Sequence, residues 1–192
     1  MNTLVSMLRG VNVGGHRRMP MSELAELFAS LGFADVRTYV QSGNVVFKHP
    51  QADITHIARQ IERGLKSRLD LDVTVFIRTP EELERLVAHV PFAKTDPSKL
   101  HVTFLQSKPA TIPTNEINAV AGEGERFSIS DTEVYLFLPN GYGRSKLSNS
   151  FFERVLKVPA TTRNWRTVTT LLDMAKKIWL PSKDDLTIFP VT

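Results

Sequence analysis

The spacing of apolar residues changes period several times along this chain, and each change marks an element. Leu4-Val5-Ser6-Met7-Leu8 reads as a strand. Met21, Leu24, Leu27, Phe28 and Leu31 recur at helical spacing, with Pro20 suited to the first turn and Gly32 to the stop. Residues 36–40 and 45–47 are β-branched or aromatic runs joined by Gln41-Ser42-Gly43-Asn44, a hairpin signal that favours a two-residue loop. Ile54, Ile57, Ala58, Ile61, Leu65 and Leu69 predict a second amphipathic helix, and residues 73–77 another strand. The order β-α-β-β-α-β is that of a ferredoxin-like unit, with two helices on one face of an antiparallel sheet.

A third helix begins at Thr79-Pro80-Glu81-Glu82, passes through Leu83, Leu86 and Val87, and ends near Pro91; Asp96-Pro97-Ser98 is turn chemistry. Residues 100–105 then read as a strand and 115–121 as a short helix. Residues 126–129 and 133–138 form a hairpin around Ser130-Asp131-Thr132. Leu147, Phe151, Phe152, Val155 and Leu156 predict a helix with a capping box from Ser150 to Glu153. The order β-α-β-β-α recurs, without a repeated residue motif at fixed spacing. Where a closing strand is due, Val168, Leu171, Leu172, Ala175 and Ile178 predict a long helix. The expected fold class is α+β: two ferredoxin-like halves, the second modified by a long C-terminal helix. The halves are residues 1–79 and 100–192, joined by a helix and linker at 80–99. Leu186, Ile188 and Phe189 in the tail after Pro181 suit either a strand or a strap.

Composition narrows the chemistry. The chain has 192 residues, 42% of them hydrophobic, which suffices for a core. It has no cysteine, so disulfides, thiolate nucleophiles and thiolate metal sites are excluded, in keeping with a reducing cytoplasm. The first apolar run is too short for a signal or membrane segment, so no membrane association is expected. Net charge is +4, but unevenly spread. Residues 9–18 hold Arg9, Arg17 and Arg18 and no acid. Residues 142–166 hold six cations against Glu153 alone, so the remainder of the chain is net acidic. Two basic windows on one face would attract phosphates or nucleic acid; on separate faces they are ordinary solvated surface.

Each window offers candidate residues. Arg9-Gly10-Val11-Asn12-Val13-Gly14-Gly15-His16-Arg17-Arg18 combines permissive glycines with guanidinium forks. Its spacing is neither a dinucleotide fingerprint nor a P-loop, and a long β-α connection explains the glycines equally well. Arg144, Ser145 and Lys146 stand before a helix and suit an anion. In Thr161-Thr162-Arg163-Asn164-Trp165, Thr162 or Asn164 can cap a helix, Arg163 can grip phosphate through two nitrogens, and Trp165 can stack a base or pack in the core. Ser42 lacks a nucleophile-elbow pattern and is better explained by the turn. His16, His49, His56, His89 and His101 show no ligand spacing, so no metal is expected. The aromatic consensus of an RNA-recognition sheet is missing.

Three blocks, 8–15 (Leu-Arg-Gly-Val-Asn-Val-Gly-Gly), 38–47 (Thr-Tyr-Val-Gln-Ser-Gly-Asn-Val-Val-Phe) and 161–165 (Thr-Thr-Arg-Asn-Trp), resemble signature blocks of the bacterial domain-of-unknown-function family numbered 1697. Residues 144–148 also resemble a block of that family. The resemblance runs over nearly the whole chain. It implies two ferredoxin-like halves and implies no reaction, cofactor or catalytic residue.

The leading expectation is a basic cleft between the halves that binds a phosphorylated small molecule, a nucleotide or a nucleic-acid backbone. Its site residues are Arg9, Asn12, Gly14, Gly15, Arg144, Ser145, Lys146, Thr162, Arg163 and Asn164. A hydrolase or transferase acting on a phosphate-containing substrate and a self-associating scaffold are the alternatives; cofactor and oligomeric state are undetermined.

Overall fold

The computed structural model describes residues 1–12, 19–92 and 94–179. The expectations placed on Gly14, Gly15, Arg17 and Arg18, and on the tail after Pro181, lie outside them.

The first half contains β1 (Asn2–Leu8), α1 (Met21–Ser30), β2 (Ala34–Tyr39), β3 (Asn44–His49), α2 (Ile54–Leu69) and β4 (Val75–Arg78). Its antiparallel sheet has the order β2-β3-β1-β4. One face carries Leu4, Leu8, Val45, Phe47, Val75 and Ile77 against Leu24, Leu27 and Phe28 of α1 and Ile57, Ile61 and Leu65 of α2. The rings of Phe28, Phe33 and Phe47 meet edge-on or stacked at 4.8–5.5 Å between centroids. Asp53 caps α2 by accepting from the backbone of Thr55 and His56.

A connecting helix, α3 (Pro80–Ala88), begins with a complete capping box between Thr79 and Glu82. The second half contains β5 (Leu100–Leu105), α4 (Thr114–Val120), β6 (Arg126–Ser130), β7 (Glu133–Phe137), α5 (Asn149–Leu156), β8 (Ala160–Asn164) and α6 (Trp165–Trp179). Its sheet order, β6-β7-β5-β8, repeats that of the first. α4 and α5 cover the face that presents Leu105, Val134, Leu136 and Ala160.

Three expectations are corrected. The second half does close: residues 160–164 form β8, paired antiparallel with β5, and α6 is added after it. Hydrophobic periodicity misses β8 because the buried positions are Thr161 and Arg163, which are polar. α5 is capped by Ser148, which accepts from Phe151 N, and not by a box from Ser150, because Glu153 is turned elsewhere. Tyr39 pairs with Asn44, so the first hairpin loop has four residues, 40–43.

The remaining faces of the two sheets share one core. Val5, Met7, Val46 and Phe76 from the first join Val102, Phe104 and Tyr135 from the second. Leu83 and Leu86 of α3, and Val168, Leu171, Leu172, Ala175 and Ile178 of α6, complete it. The faces that an open ferredoxin-like sheet offers to ligands are therefore buried, and apart from Arg78, Arg163 and their partners the space between the halves is largely apolar. Among the described residues no helix is long and apolar enough to cross a membrane.

Phe104 is fully buried at this shared core. Phe104→Ala is expected to cost about 3–5 kcal/mol. Urea unfolding followed by tryptophan fluorescence and by far-ultraviolet circular dichroism should shift together, in one transition, because both sheets lose the same packing.

Candidate functional site

Strand register sets the site. β4 and β8 are the edge strands of their sheets, and each carries an arginine on the shared face. Arg78 lies opposite Val5, and Arg163 lies opposite Val102. Each guanidinium leaves its own half and engages the other. Arg163 donates from Nε to Asn44 Oδ1 (2.6 Å), from Nη2 to Leu8 O (2.8 Å) and Ser42 O (3.1 Å), and from Nη1 to Thr161 Oγ1 and Thr162 O (both 2.9 Å). Arg78 donates from Nε to Glu133 Oε1 (3.1 Å), from Nη2 to Leu105 O (2.9 Å) and Thr132 O (3.3 Å), and from Nη1 to Ile77 O (2.9 Å).

The two clasps are equivalent at most positions, except that Arg163 takes Ser42 O, one residue before the counterpart of Thr132, and adds Thr161 Oγ1. Leu8 N donates to Gly43 O, as Leu105 N does to Thr132 O. Arg9 N donates to Thr74 O, as Gln106 N does to Pro159 O. Glu62 of α2 accepts from Val75 N, and Glu153 of α5 accepts from Ala160 N. Met7 pairs with Asn44 as Phe104 pairs with Glu133. The halves are thus related by an internal pseudo-two-fold repeat that includes side chains.

Against that frame the differences stand out. Asn44 occupies the position of Glu133, so Arg78 has a carboxylate partner and Arg163 has only neutral acceptors. Burial pushes the Arg163 guanidinium down to about 10, which still leaves it charged at neutral pH. Arg9 occupies the position of Gln106 and forms a two-pronged ion pair with Glu153, Nε to Oε1 at 2.6 Å and Nη2 to Oε2 at 2.5 Å. Asn149 occupies the position of Ala58 and joins a polar ladder. Its Oδ1 accepts from Thr162 Oγ1 (2.6 Å), which is 2.7 Å from Thr103 Oγ1. Its backbone N–H donates to the Tyr142 hydroxyl (3.1 Å). The Tyr142 ring in turn stacks on His101 at 5.5 Å between centroids.

The hairpin loop beside Arg163 is strained and tightly held. Val40 is β-branched yet has φ 48°, and it is half exposed. Asn44 Nδ2 donates to Tyr39 O and Ser42 Oγ to close the loop. A Cβ on Gly43 would stand 2.9 Å from Leu8 Cβ, at a φ of +68°. Only glycine allows this contact.

The structure brings together residues from all three sequence windows, in altered roles. Arg163 is a saturated strut between the halves, not an exposed phosphate fork, and Arg9 is paired with Glu153. Asn12, at φ 56°, binds Met19 through both its Oδ1 and Nδ2 and so closes the neck of the first loop. Ser145 Oγ accepts from Leu147 N. Thr162 belongs to the ladder, and Asn164 caps α6 by accepting from Thr167 N (2.8 Å). Arg144 and Lys146 are exposed and make no ion pair with any described residue. They follow Tyr142 in the chain. Sequence reasoning missed Glu153, Asn44, Asn149, Tyr142 and the Arg78–Glu133 clasp. The signal was the internal repeat, but its loops differ in length and the spacing drifts. Among the described residues no group of histidines and carboxylates could hold a metal.

This arrangement defines an α+β protein made of two ferredoxin-like halves clasped by exchanged arginines. A family model described as protein of unknown function (DUF1697) matches residues 1–135, and the chain belongs to that family. A conserved bacterial protein from Streptococcus pneumoniae has a similar solved structure. It is 19% identical, with a TM-score of 0.64 over 91% of this chain and 98% of that one, which establishes a shared fold. No curated protein matches the chain in sequence.

Replacing Arg163 with methionine would orphan Leu8 O, Ser42 O and Asn44 Oδ1, and a loss of about 3–5 kcal/mol in urea unfolding is expected. A second check is pH. Burial holds His101 below its ordinary 6.5, so the folded state takes up a proton less readily than the unfolded one. Stability should therefore fall as pH drops through and below 6.5, and His101→Gln should flatten that fall.

Proposed function

We propose that the chain binds a phosphate-bearing small molecule at the rim where β8, the start of α5, the segment around Tyr142 and the end of β1 meet. One observation carries this reading. Compared with its equivalent beside β4, this rim has a cation where the other has Gln106 and a neutral amide where the other has Glu133. The equivalent place beside β4 is a groove of about 360 Å³ lined by Ala58, Glu62, Arg78 and Gln106, among others. At the second rim Glu153 is neutralised by Arg9, the charge of Arg163 has no carboxylate against it among the described residues, and Arg144 and Lys146 add two exposed cations.

A charge buried in a low-dielectric surround is poorly screened, and its field extends to the adjacent surface. Arg163 therefore contributes potential, and Arg144 and Lys146 contribute contacts. Arg9 is the third donor fork. It reaches a ligand phosphate by exchanging one carboxylate oxygen of Glu153 for a phosphate oxygen, which keeps both of its prongs satisfied. A nucleic-acid backbone presents the same oxygens in a row, and salt dependence distinguishes the two ligands.

Calorimetric titration with pyrophosphate and with nucleoside triphosphates tests the site. The double variant Arg144→Gln, Lys146→Gln should bind at least about tenfold more weakly at unchanged thermal stability. Absence of heat with every phosphate compound at low salt would remove the proposal. A steep loss of affinity for a single-stranded oligonucleotide between 50 and 200 mM salt would redirect it to nucleic acid.

A further inference from the structure

A second surface feature belongs to neither the rim nor the shared core. At the junction of β8 and α6 lies a groove of about 520 Å³, within the usual range for small-molecule sites. Its walls include Pro97, His101, Asn164, Trp165, Arg166 and Thr169. Trp165 is half-buried, packed against the shared core while still lining the groove. His101 presents an imidazole already backed by the Tyr142 ring. Burial keeps that imidazole below its ordinary titration range, so at neutral pH it is an uncharged ring.

Arg166 supplies the charge. Its side chain is exposed and makes no hydrogen bond or ion pair with any described residue. It stands in the first turn of α6, where no acid is present to balance it. A cation there opposes the helix dipole, so it is costly unless an anion joins it. Asn164 spends its Oδ1 on Thr167 N, which leaves its side-chain amide N–H groups without a described partner at the groove. Trp165 and His101 thus line the groove together with a guanidinium unpaired among the described residues and an amide donor.

We infer that this groove binds a planar heteroaromatic ring bearing an anionic group, the chemistry of a nucleotide or an aromatic carboxylate. The ring stacks on Trp165 and His101, and the anion pairs with Arg166. The inference is separate from the phosphate reading of the rim: no residue named as a ligand contact there lines this groove.

Trp165 is its own reporter. The chain has two tryptophans, so Trp179→Phe leaves Trp165 as the single indole. Adenosine 5′-monophosphate and uridine 5′-monophosphate are titrated against its fluorescence, beside adenosine (ring without anion), ribose 5-phosphate (anion without ring) and quinoline carboxylate. A nucleotide or the aromatic carboxylate should quench with a Kd at least tenfold below that of either half-ligand. The winner of that pair names the source. Arg166→Gln should erase the tenfold advantage and leave adenosine binding unchanged. The rim variant Arg144→Gln, Lys146→Gln should leave the groove Kd within twofold, so either proposal can fail alone. Calorimetry on the unsubstituted chain guards against misfolding of the reporter. Equal binding of ribose 5-phosphate and nucleotide, indifference to Arg166→Gln, or no binding of any ring at millimolar concentration would each overturn the inference.

Discussion

Two guanidinium groups cross between the halves, and the rest of the join is arranged to receive them. A buried arginine has five N–H donors and tolerates burial only when they find acceptors. Arg163 finds all five. Two come from its own strand at Thr161 and Thr162. One is the last carbonyl of β1, at Leu8, one is Ser42 O of the first hairpin loop, and one is the amide of Asn44 at the start of β3. These segments are far apart in the chain, so a single side chain fixes their relative position. Gly43, the positive φ of Val40 and the amide at Asn44 are all conditions for bringing that loop close enough to accept.

The repeat within the chain acts as an internal control. Features that occur twice serve the frame: an arginine on the edge strand, a glutamate on the second helix that accepts from the edge strand, and a carbonyl at the end of the first strand. Features that occur once need another cause. Asn44 has a local one, since its Nδ2 must donate to Tyr39 O and Ser42 Oγ and a carboxylate cannot donate. The electrostatic consequence follows regardless of that cause. Arg9 has no counterpart in the frame, and its ion pair with Glu153 removes the negative charge that Glu62 retains in the first half.

The first half was almost fully legible because most of its buried strand positions are apolar and its helices begin and stop at ordinary signals. Thr79 to Glu82 is such a signal, and the structure contains it. β8 was illegible because its inward residues are Thr161 and Arg163, whose burial depends on acceptors in the other half. The same reason explains the site. Sequence placed Arg9, Arg144, Lys146 and Arg163 in basic windows, and Arg9 does contact Glu153 of the second window. It gave no means of seeing that Glu153 would neutralise Arg9, or that three backbone carbonyls and the side chains of Asn44 and Thr161 would consume every donor of Arg163. Charge counts along a chain record cations, not the partners that folding assigns to them.

Hydrogen-bond saturation and charge compensation are separable, and the difference between the clasps turns on that. Carbonyl and amide oxygens bring dipoles to a guanidinium but no net charge. Arg78 has Glu133 and is neutral as a pair. Arg163 is fully bonded and still carries its charge. The core between the sheets is apolar around Phe76 and Phe104, and among the described residues no carboxylate there faces Arg163. An uncompensated charge in that position can be offset only from outside, at the rim. That is where α5 begins and where Asn149 and Thr162 form a polar ladder. If the chain has a negatively charged guest, the exchanged arginines determine which of the two pseudo-equivalent rims receives it.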